Sequence, residues 1–384
     1  MVNPTHTPTP ATPVTAPTPA PPGSGTPAAR RVADAGAAVL RSFRGLCHAR
    51  GYREERRRAV VSDHDLSIRY TNSTISVLKP LLSERVRDRV FLVQPALRLR
   101  NLDHVRRTGT MSPWGCAFMS FGALAPPGEA GALTALARDL LVRGLGVGDD
   151  DVRLRLLPTD GDLVDHARGA GVAVIHCPDT PEVFRHRFGI EGITGRNANL
   201  ALRGPDGWAD VANVIVIERH GRPIGAELAF GVNAVLVHTL GLGHPVRAGA
   251  AAAAEEFGVR DLVALDALSS ATVLAMDGLR PVARGRGQNY RALLRLLDER
   301  AGAAPEAMQR AAGAVARAEE ELRRHASPPA DGVADLSAER TARQLVDDLC
   351  RVAPAPTAGS RHLEAPRRSA PSRANNRSDH GVAP

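Results

Sequence analysis

Two long apolar segments separated by a tight turn constrain the fold of this chain more than any other feature. The segments are WADVANVIVIERHG (208–221) and RPIGAELAFG (222–231). The glycines and the proline around their junction, RHGRPIG (219–225), are typical of a β-hairpin. Because the two strands of a hairpin run in opposite directions, the chain is predicted to contain an antiparallel sheet.

Shorter segments on the N-terminal side of the hairpin predict further strands and helices. We interpret LSIRYTNSTISVL (66–78) as strand, turn and strand, and RVFLVQPALRLR (89–100) as one more strand. Apolar residues at helical spacing predict helices over 28–50 and 128–146, each followed or ended by glycine. This mixture predicts an α+β fold, with a largely antiparallel sheet flanked by helices.

Composition shifts suggest where the ordered regions begin and end. Pro and Thr dominate the N-terminus, and Pro, Ser and Arg dominate the C-terminus, so both ends are expected to be disordered. After about residue 248 the apolar pattern becomes helical throughout. The predicted organisation is a disordered tail (1–27), an α+β domain (28–247), a helical domain (248–326) and a mostly disordered tail with a short helix near 337–351 (327–384).

Charge and hydropathy narrow the class of protein. The formal net charge is +8 and Lys79 is the only lysine, so an arginine-rich surface is compatible with nucleic acid but is weak evidence for it. No apolar run approaches the roughly 18–20 residues needed to cross a bilayer. The first residues lack the basic and apolar regions of a secretory signal. We therefore expect a cytoplasmic protein without a membrane partner.

Arg98 and Arg100 follow the apolar residues of the predicted strand 89–100, and the residues alone leave two explanations open. Charges along an exposed edge strand deter pairing with other chains. A strand can equally carry an arginine toward a phosphate, because the guanidinium forms two parallel hydrogen bonds with it.

The order of several motifs is more specific than any one of them. YTNSTISVLKP (70–80) matches the pattern FTNAGMNQFKP, and QPALRLRNLDHVRRT (94–108) matches QRCIR followed by DLENV and T. The segment 266–291 follows the pattern D, T, ADG, LPSNEGRG and R without a gap, although Ala283 replaces the asparagine. The identical residues are Asp266, Thr272, Asp277, Gly278, Pro281, Gly285, Arg286, Gly287 and Arg291. In this order, over about residues 38–300, the chain resembles the catalytic core and first tRNA-recognition helices of the alanyl-tRNA synthetase family, a class II aminoacyl-tRNA synthetase.

This resemblance implies both an activity and a set of site residues. The family joins an amino acid to ATP as an aminoacyl-adenylate and transfers it to tRNA; here another small-molecule or protein acceptor is an alternative. Mg²⁺ would accompany ATP. Arg98 matches the motif 2 arginine that contacts the α-phosphate, and is the predicted catalytic residue. The implied sites are Arg98, Arg100 and Thr108 for ATP; Thr71, Asn72, Ala212, Asn213, Glu227 and Gly231 for the amino acid; and Arg286, Arg291 and Arg295 for tRNA.

Motif 3 departs from the family pattern. Where the family has DTGMGLERL the chain has AFGVNAVLV (229–237), so Leu236 replaces an ATP-contacting arginine and Asn233 replaces a glycine. Ala229 replaces the aspartate that binds the amino group, for which Glu227 is a substitute two residues earlier. Ala212 stands where the family has a tryptophan, and would leave room for a larger amino acid.

These departures leave two functions open. One is a specialised ATP-dependent amino-acid ligase without the family's editing modules, since the resemblance stops before them. The other is a non-catalytic module that binds tRNA, an amino acid or a protein, which the missing arginine favours. The retained Thr71, Asn72, Arg98 and Asn213 favour the first.

Overall fold

The computed structural model describes residues 27–61, 65 and 68–352, and all that follows concerns these residues. One sheet dominates them. Its strands are β1 (Arg53–Glu54), β2 (Val90–Leu97), β3 (Ala117–Ala125), β4 (Val152–Leu156), β5 (Ala173–His176), β6 (Arg185–Arg187), β7 (Ile193–Gly204), β8 (Gly207–Arg219) and β9 (Arg222–Gly231).

Helices cover the sheet and follow it along the chain. They are α1 (Pro27–Ala49), α2 (Thr74–Leu78), α3 (Arg100–Thr108), α4 (Ala130–Asp139), α5 (Gly161–Gly169), α6 (Val232–Thr239), α7 (Leu262–Met276), α8 (Arg286–Arg300), α9 (Pro305–Arg323) and α10 (Ala338–Val352).

The strands lie in the order β1-β2-β3-β9-β8-β7-β4-β5, and β6 pairs with β7. All pairs are antiparallel except β1 with β2 and β4 with β5. The predicted fold class, an α+β chain with a mostly antiparallel sheet flanked by helices and followed by helices, is confirmed.

The predicted hairpin is present as β8 and β9. Its two turn residues, His220 and Gly221, have φ angles of 49° and 75°. Two consecutive positive φ angles match the right-handed twist of the strands, and glycine adopts this conformation without strain. The hairpin therefore forms the centre of the sheet, with β3 beyond β9 and β7 beyond β8.

One face of the sheet carries the main apolar core. Phe121 and Phe230 stack with ring centroids 4.9 Å apart, and Phe43 of α1 meets Phe121 edge-on at 4.9 Å. Leu133 of α4 and Leu236 of α6 join the same cluster, and both are fully buried. Burial of these side chains holds α1, α4 and α6 against the sheet.

On the opposite face, α2 covers only part of the sheet. Ile75 and Leu78 of α2 pack with Leu124 and Ile215 in a separate apolar cluster. Our interpretation of 66–78 as strand, turn and strand is wrong for its described part, because residues 74–78 are helical. The β-branched residues suggested a strand, but the spacing of Ile75 and Leu78 lets one helical face bury both, and this packing outweighs local preference.

The strand predicted over 89–100 is shorter than expected. It ends at Leu97, and Arg100 begins α3, which Gly109 terminates with a left-handed φ of 72°. Every residue of β2 is buried, and backbone bonds from Glu55 and Leu97 tie its outer side to neighbouring segments. Arg98 is therefore not an edge-strand charge, which removes the first of the two explanations left open by the sequence.

The predicted helices after residue 248 form α7 to α10, preceded by a 3₁₀ segment, Ala250–Phe257. Their apolar core includes Leu97, Leu102 and Cys116 from the sheet region, so one core extends across the predicted domain boundary near residue 248. Residues 327–352, assigned above to a tail, pack on this body. Ser327 exchanges two hydrogen bonds of 2.9 Å with the backbone of Val93 in β2. The remainder of both predicted tails lies outside the described residues.

A buried ion network fastens α9 to its surroundings. Arg323 lies 2.9 Å from Asp277, 3.0 Å from Glu319 and 2.6 Å from Asp335, and Asp335 also pairs with Arg57. Burial lowers the pKa of Arg323, but the three carboxylates outweigh it and raise that pKa above its ordinary value. The network joins the end of α7, the end of α9 and the segment before α10.

None of the described helices is both long enough and apolar enough to span a bilayer.

Candidate active site

A cleft of about 540 Å³ opens on the sheet face that α2 leaves uncovered. Strands β3, β9, β8 and β7 form its floor, the start of α3 forms one wall and the start of α6 another. This volume is in the range that holds a drug-sized ligand. Its polar lining includes Arg98, Arg100, Asn101, Ser120, Asn199, Asp210, Asn213 and Asn233.

Arg98 lies where β2 passes into α3, and its side chain reaches into the cleft. Its Nε donates a 2.9 Å hydrogen bond to the backbone carbonyl of Asn72, and its guanidinium lies 4.8 Å from the centre of the Phe118 ring. Desolvation by the surrounding protein lowers the pKa of Arg98. The charge of Glu227 raises this pKa, and the charge of Arg100 lowers it further. The group remains a cation at neutral pH, held in place by two contacts and exposed to the solvent of the cleft.

The other predicted ATP ligands are divided. Arg100, the first residue of α3, lines the cleft beside Arg98. Thr108 is at the far end of that helix, exposed, and its hydroxyl donates to the carbonyl of His104 at 2.9 Å. The structure thus brings two arginines together and leaves Thr108 away from them.

A hydrogen-bonded row of amides forms the opposite end of the cleft. Asn199 of β7 accepts the amide of Asn213 at 2.7 Å and that of Asn197 at 2.7 Å. Its own amide donates to Asp210 at 2.9 Å, and Arg155 contacts the second oxygen of Asp210 at 2.9 Å. Because each group is already oriented by its neighbour, this row presents fixed polar atoms to a ligand.

Glu227 does not line the cleft. Its cross-strand neighbours are Leu124 and Ile215, which belong to the apolar cluster beneath α2. The residue is 2% exposed, and its Oε2 has no hydrogen-bond partner among the described residues. Burial raises the pKa of Glu227 to about 8, although the charge of Arg98 lowers it. A carboxyl in this state is mainly neutral at pH 7.

Glu227 should make the stability of the fold depend on pH. Because its folded pKa is above the ordinary value of 4.5, the folded state holds a proton that the unfolded state releases. The free energy of unfolding should therefore fall between pH 5 and 8, by up to ~1.4 kcal/mol per pH unit relative to Glu227→Gln. Urea denaturation of both proteins at pH 5.5, 6.5 and 7.5 measures this difference, and parallel dependences on pH would contradict it.

The remaining predicted amino-acid residues occupy different positions. Thr71 is buried, and its hydroxyl donates to the carbonyl of Ala59 at 3.0 Å. Asn72 contributes its carbonyl to Arg98, as described, so it acts on the cleft through that arginine. Asn213 and Gly231 line the cleft. Ala212 also lines it, but its side chain belongs to the core on the other face of the sheet.

Two residues of the segment 229–237, Asn233 and Leu236, lie in α6 and have different surroundings. Leu236 is 1% exposed, and a side chain placed on Gly36 of α1 would lie 3.7 Å from it. Leu236 therefore faces the core and not the cleft. Asn233 lines the cleft, and its amide donates to the carbonyl of Pro245 at 3.0 Å.

The predicted tRNA residues lie on α8, apart from the cleft. Arg291 and Arg295 line a shallow groove with Arg106 of α3. Arg286 accepts the Tyr70 hydroxyl at its carbonyl, 2.6 Å away, at the start of the helix. Arg100 begins α3 and lines the cleft, and Arg106 of the same helix lines the groove, which Glu299 also lines.

A protein-built metal site does not fit the described residues. No three His, Cys, Asp or Glu side chains in that part of the chain converge as a metal cluster. Asp210 is the one acidic side chain of the described residues that lines the cleft, and a single carboxylate supplies fewer ligands than a protein-built metal site needs. We therefore assign no step to Mg²⁺.

Sequence reasoning missed several cleft residues. Asn199 and Asp210 come from β7 and the start of β8, and β7 was not predicted because its polar residues obscure the strand pattern. Trp114 lies in the turn before β3, and Phe118 is the second residue of β3. The alternation of Asn197 and Asn199 with Ala198 and Leu200 was the signal available.

No family model and no curated protein matches the chain. Solved structures of tRNA synthetases do match 58% of it. The S. aureus histidyl-tRNA synthetase is 13% identical, is covered over 70% of its length and has a TM-score of 0.37. The Pyrococcus horikoshii asparaginyl-tRNA synthetase with asparaginyl-adenylate is 12% identical, covered over 68%, with a TM-score of 0.39. The Entamoeba histolytica aspartyl-tRNA synthetase is 11% identical, covered over 57%, with a TM-score of 0.34. At these values the likenesses carry no argument about activity or substrate.

Proposed function

We propose that the cleft binds an amino acid together with ATP and joins them as an aminoacyl-adenylate. The observation that carries the proposal is the placement of Arg98 and Arg100 at one end of a single cleft and the amide row of Asn199 and Asn213 at the other. The motif order that resembles alanyl-tRNA synthetases supports the same assignment for Arg98.

The chemistry assigns a role to each end. The amino-acid carboxylate attacks the α-phosphorus of ATP, a new O–P bond forms, and pyrophosphate leaves with the electron pair of the broken P–O bond. Negative charge on the α-phosphate oxygens grows in the transition state, and the fixed guanidinium of Arg98 stabilises it. Holding both anions in one cleft supplies the proximity that this displacement needs.

The amino-acid end differs from the family in its acidic group. Glu227 is buried beneath α2 and mainly neutral, whereas Asp210 lies on the cleft wall and is ion-paired with Arg155. We therefore assign contact with the substrate ammonium to Asp210, and orientation of the amino acid to Asn213. A tRNA hydroxyl, or the nucleophile of another acceptor, would then attack the acyl carbon of the adenylate, with AMP leaving; the groove of Arg106, Arg291 and Arg295 would hold tRNA phosphates.

Amino-acid-dependent exchange of pyrophosphate into ATP tests this function. The wild-type protein is assayed with each of the twenty amino acids, and exchange with one or a few of them is expected. No exchange with any amino acid, in protein whose circular dichroism shows it to be folded, would overturn the proposal.

A second function is favoured by one observation, the burial of Leu236 where the family has an arginine. Without that contact the cleft would bind an amino acid or nucleotide and activate neither. Calorimetric binding of ATP or an amino acid, in the absence of exchange, is the result that this non-catalytic module predicts.

A further inference from the structure

A buried carboxylate of α7 contacts the turn that leads into the cleft. Asp266 is 5% exposed, and its Oδ1 accepts the backbone amide of Cys116 at 2.6 Å, just before β3 begins. The same carboxylate is hydrogen-bonded to the amide of Ala117 and to the thiol of Cys116. Among the described residues no arginine or lysine acts on its pKa, so backbone hydrogen bonds and not a cation compensate its charge.

The Cys116 peptide connects this carboxylate to Arg98. The amide of Cys116 donates to Asp266, and its carbonyl accepts the backbone amide of Arg98 at 2.8 Å. Two residues after Cys116, the Phe118 ring lies 4.8 Å from the Arg98 guanidinium. Asp266 therefore restrains both the backbone of Arg98 and the ring that its side chain contacts, while it does not itself line the cleft.

The turn is closely packed at this contact. A Cβ placed on Gly115 would lie 3.2 Å from Oδ1 of Asp266 and 3.1 Å from Cγ2 of Val246. At the other end of the turn, Nε2 of His244 lies 2.8 Å from the carbonyl of Ser112. Because the turn is held at both ends, a change in the bond to Asp266 should move the residues between them.

We propose that Asp266 is a positioning residue for adenylate formation, since its carboxylate holds the start of β3 so that Arg98 is directed into the cleft. This rests on the proposed function and adds to it, because it makes α7, which is outside the sheet, necessary for the alignment of the arginine. A displacement of about 1 Å at a group that acts on the transition state can cost about 100-fold in rate.

Protonation of Asp266 should weaken the contact. Burial raises the pKa of Asp266 to about 6, although its bonds with Cys116 and Ala117 lower it. At pH 7.5 the group is a carboxylate that accepts both amides, and at pH 5 it carries a proton and can accept less. The Cys116 thiol stays protonated throughout, because burial raises its pKa well above the ordinary value. His244 contacts the far end of the turn, and Arg98 remains a cation.

Asp266→Asn tests the proposal, because the amide keeps one acceptor oxygen without the charge and so resembles the protonated group at every pH. The ratio of wild-type to variant pyrophosphate exchange, at saturating substrates, should be about ten at pH 7.5 and should fall toward one at pH 5. Titration of ATP and of His244 is common to both proteins and cancels in this ratio. A role in stability alone predicts no such change, and a constant ratio would overturn the proposal.

Asp348→Asn is the matched control. Asp348 is fully buried in α10 and bonds to Tyr290 and Arg351, away from the turn. Its ratio to wild type should be the same at pH 5 and pH 7.5. If Asp266→Asn does not fold, Gly115→Ala replaces it: the added methyl separates the turn from an intact carboxylate, so pyrophosphate exchange should fall. Wild-type exchange in Gly115→Ala would overturn the proposal.

Hydrogen–deuterium exchange distinguishes this proposal from the proposed function. In Asp266→Asn at pH 7.5 the amides of Arg98, Cys116 and Ala117 should exchange about tenfold faster than in wild type, and in Asp348→Asn they should not. Faster exchange in a protein that activates no amino acid would support the restraint on Arg98 and overturn activation. Unchanged amide exchange in an active enzyme would overturn the role of Asp266 and leave activation standing.

Discussion

Arg98→Ala should reduce amino-acid-dependent exchange by about 10²–10³-fold, the loss typical of removing one fixed donor from a developing oxyanion. Arg98 is the group in the cleft that combines a cationic fork with two restraining contacts, the carbonyl of Asn72 and the ring of Phe118. Arg100 also lines the cleft, but it is an exposed side chain at the first position of α3. Its presence should therefore not compensate.

Two variants sharpen this prediction. Arg98→Lys keeps the charge but loses the planar fork, so it should recover only part of the activity. Arg107→Ala removes an exposed charge at the far end of α3 and should leave exchange within about twofold of wild type. Equal activity in Arg98→Ala and Arg107→Ala would show that the phosphate is bound elsewhere.

Arg323→Leu should destabilise the fold by about 3–5 kcal/mol, although it is distant from the cleft. Its side chain is 3% exposed, and those of Asp277 and Glu319 are 1% and 8% exposed. Removing the arginine leaves these carboxylates buried without their cation. Since Asp277 also accepts the amide of Val61 at 2.9 Å, the damage should extend to the segment that leads into the cleft.

The adjacent Arg324 supplies a matched control. Its side chain is 64% exposed and pairs with Glu320 and Glu321 on the surface, where such pairs contribute at most about 1 kcal/mol. Urea denaturation of Arg323→Leu and Arg324→Leu compares the loss of a buried cation with the loss of an exposed one. Free energies of unfolding within 1 kcal/mol of each other would contradict the account of the network.

The fold was predictable where apolar residues recur at the regular spacing of a strand or helix and a turn residue such as glycine or proline marks the end of the element. The β8–β9 hairpin and helices α7 to α10 have both, and they form as predicted. Strand β7 and helix α2 were not predicted correctly. The first alternates Asn197 and Asn199 with Ala198 and Leu200, a pattern with too few large apolar residues to stand out, and the second is five residues long and depends on packing against β3.

The candidate site was predictable in part. Arg98, Arg100, Asn213 and Gly231, which the resemblance assigned to the site, line the cleft. Glu227 was expected there because it lies two residues before Ala229, where the resembling family has its aspartate, but α2 covers the part of the sheet that holds Glu227. Which groups a short helix covers is a tertiary property, and no local pattern reports it.

A crystal structure of the protein with ATP tests the central claim most directly. The account predicts the α-phosphate within hydrogen-bond distance of the Arg98 guanidinium. ATP bound outside this cleft, or a cleft that stays empty at millimolar ATP, would contradict it.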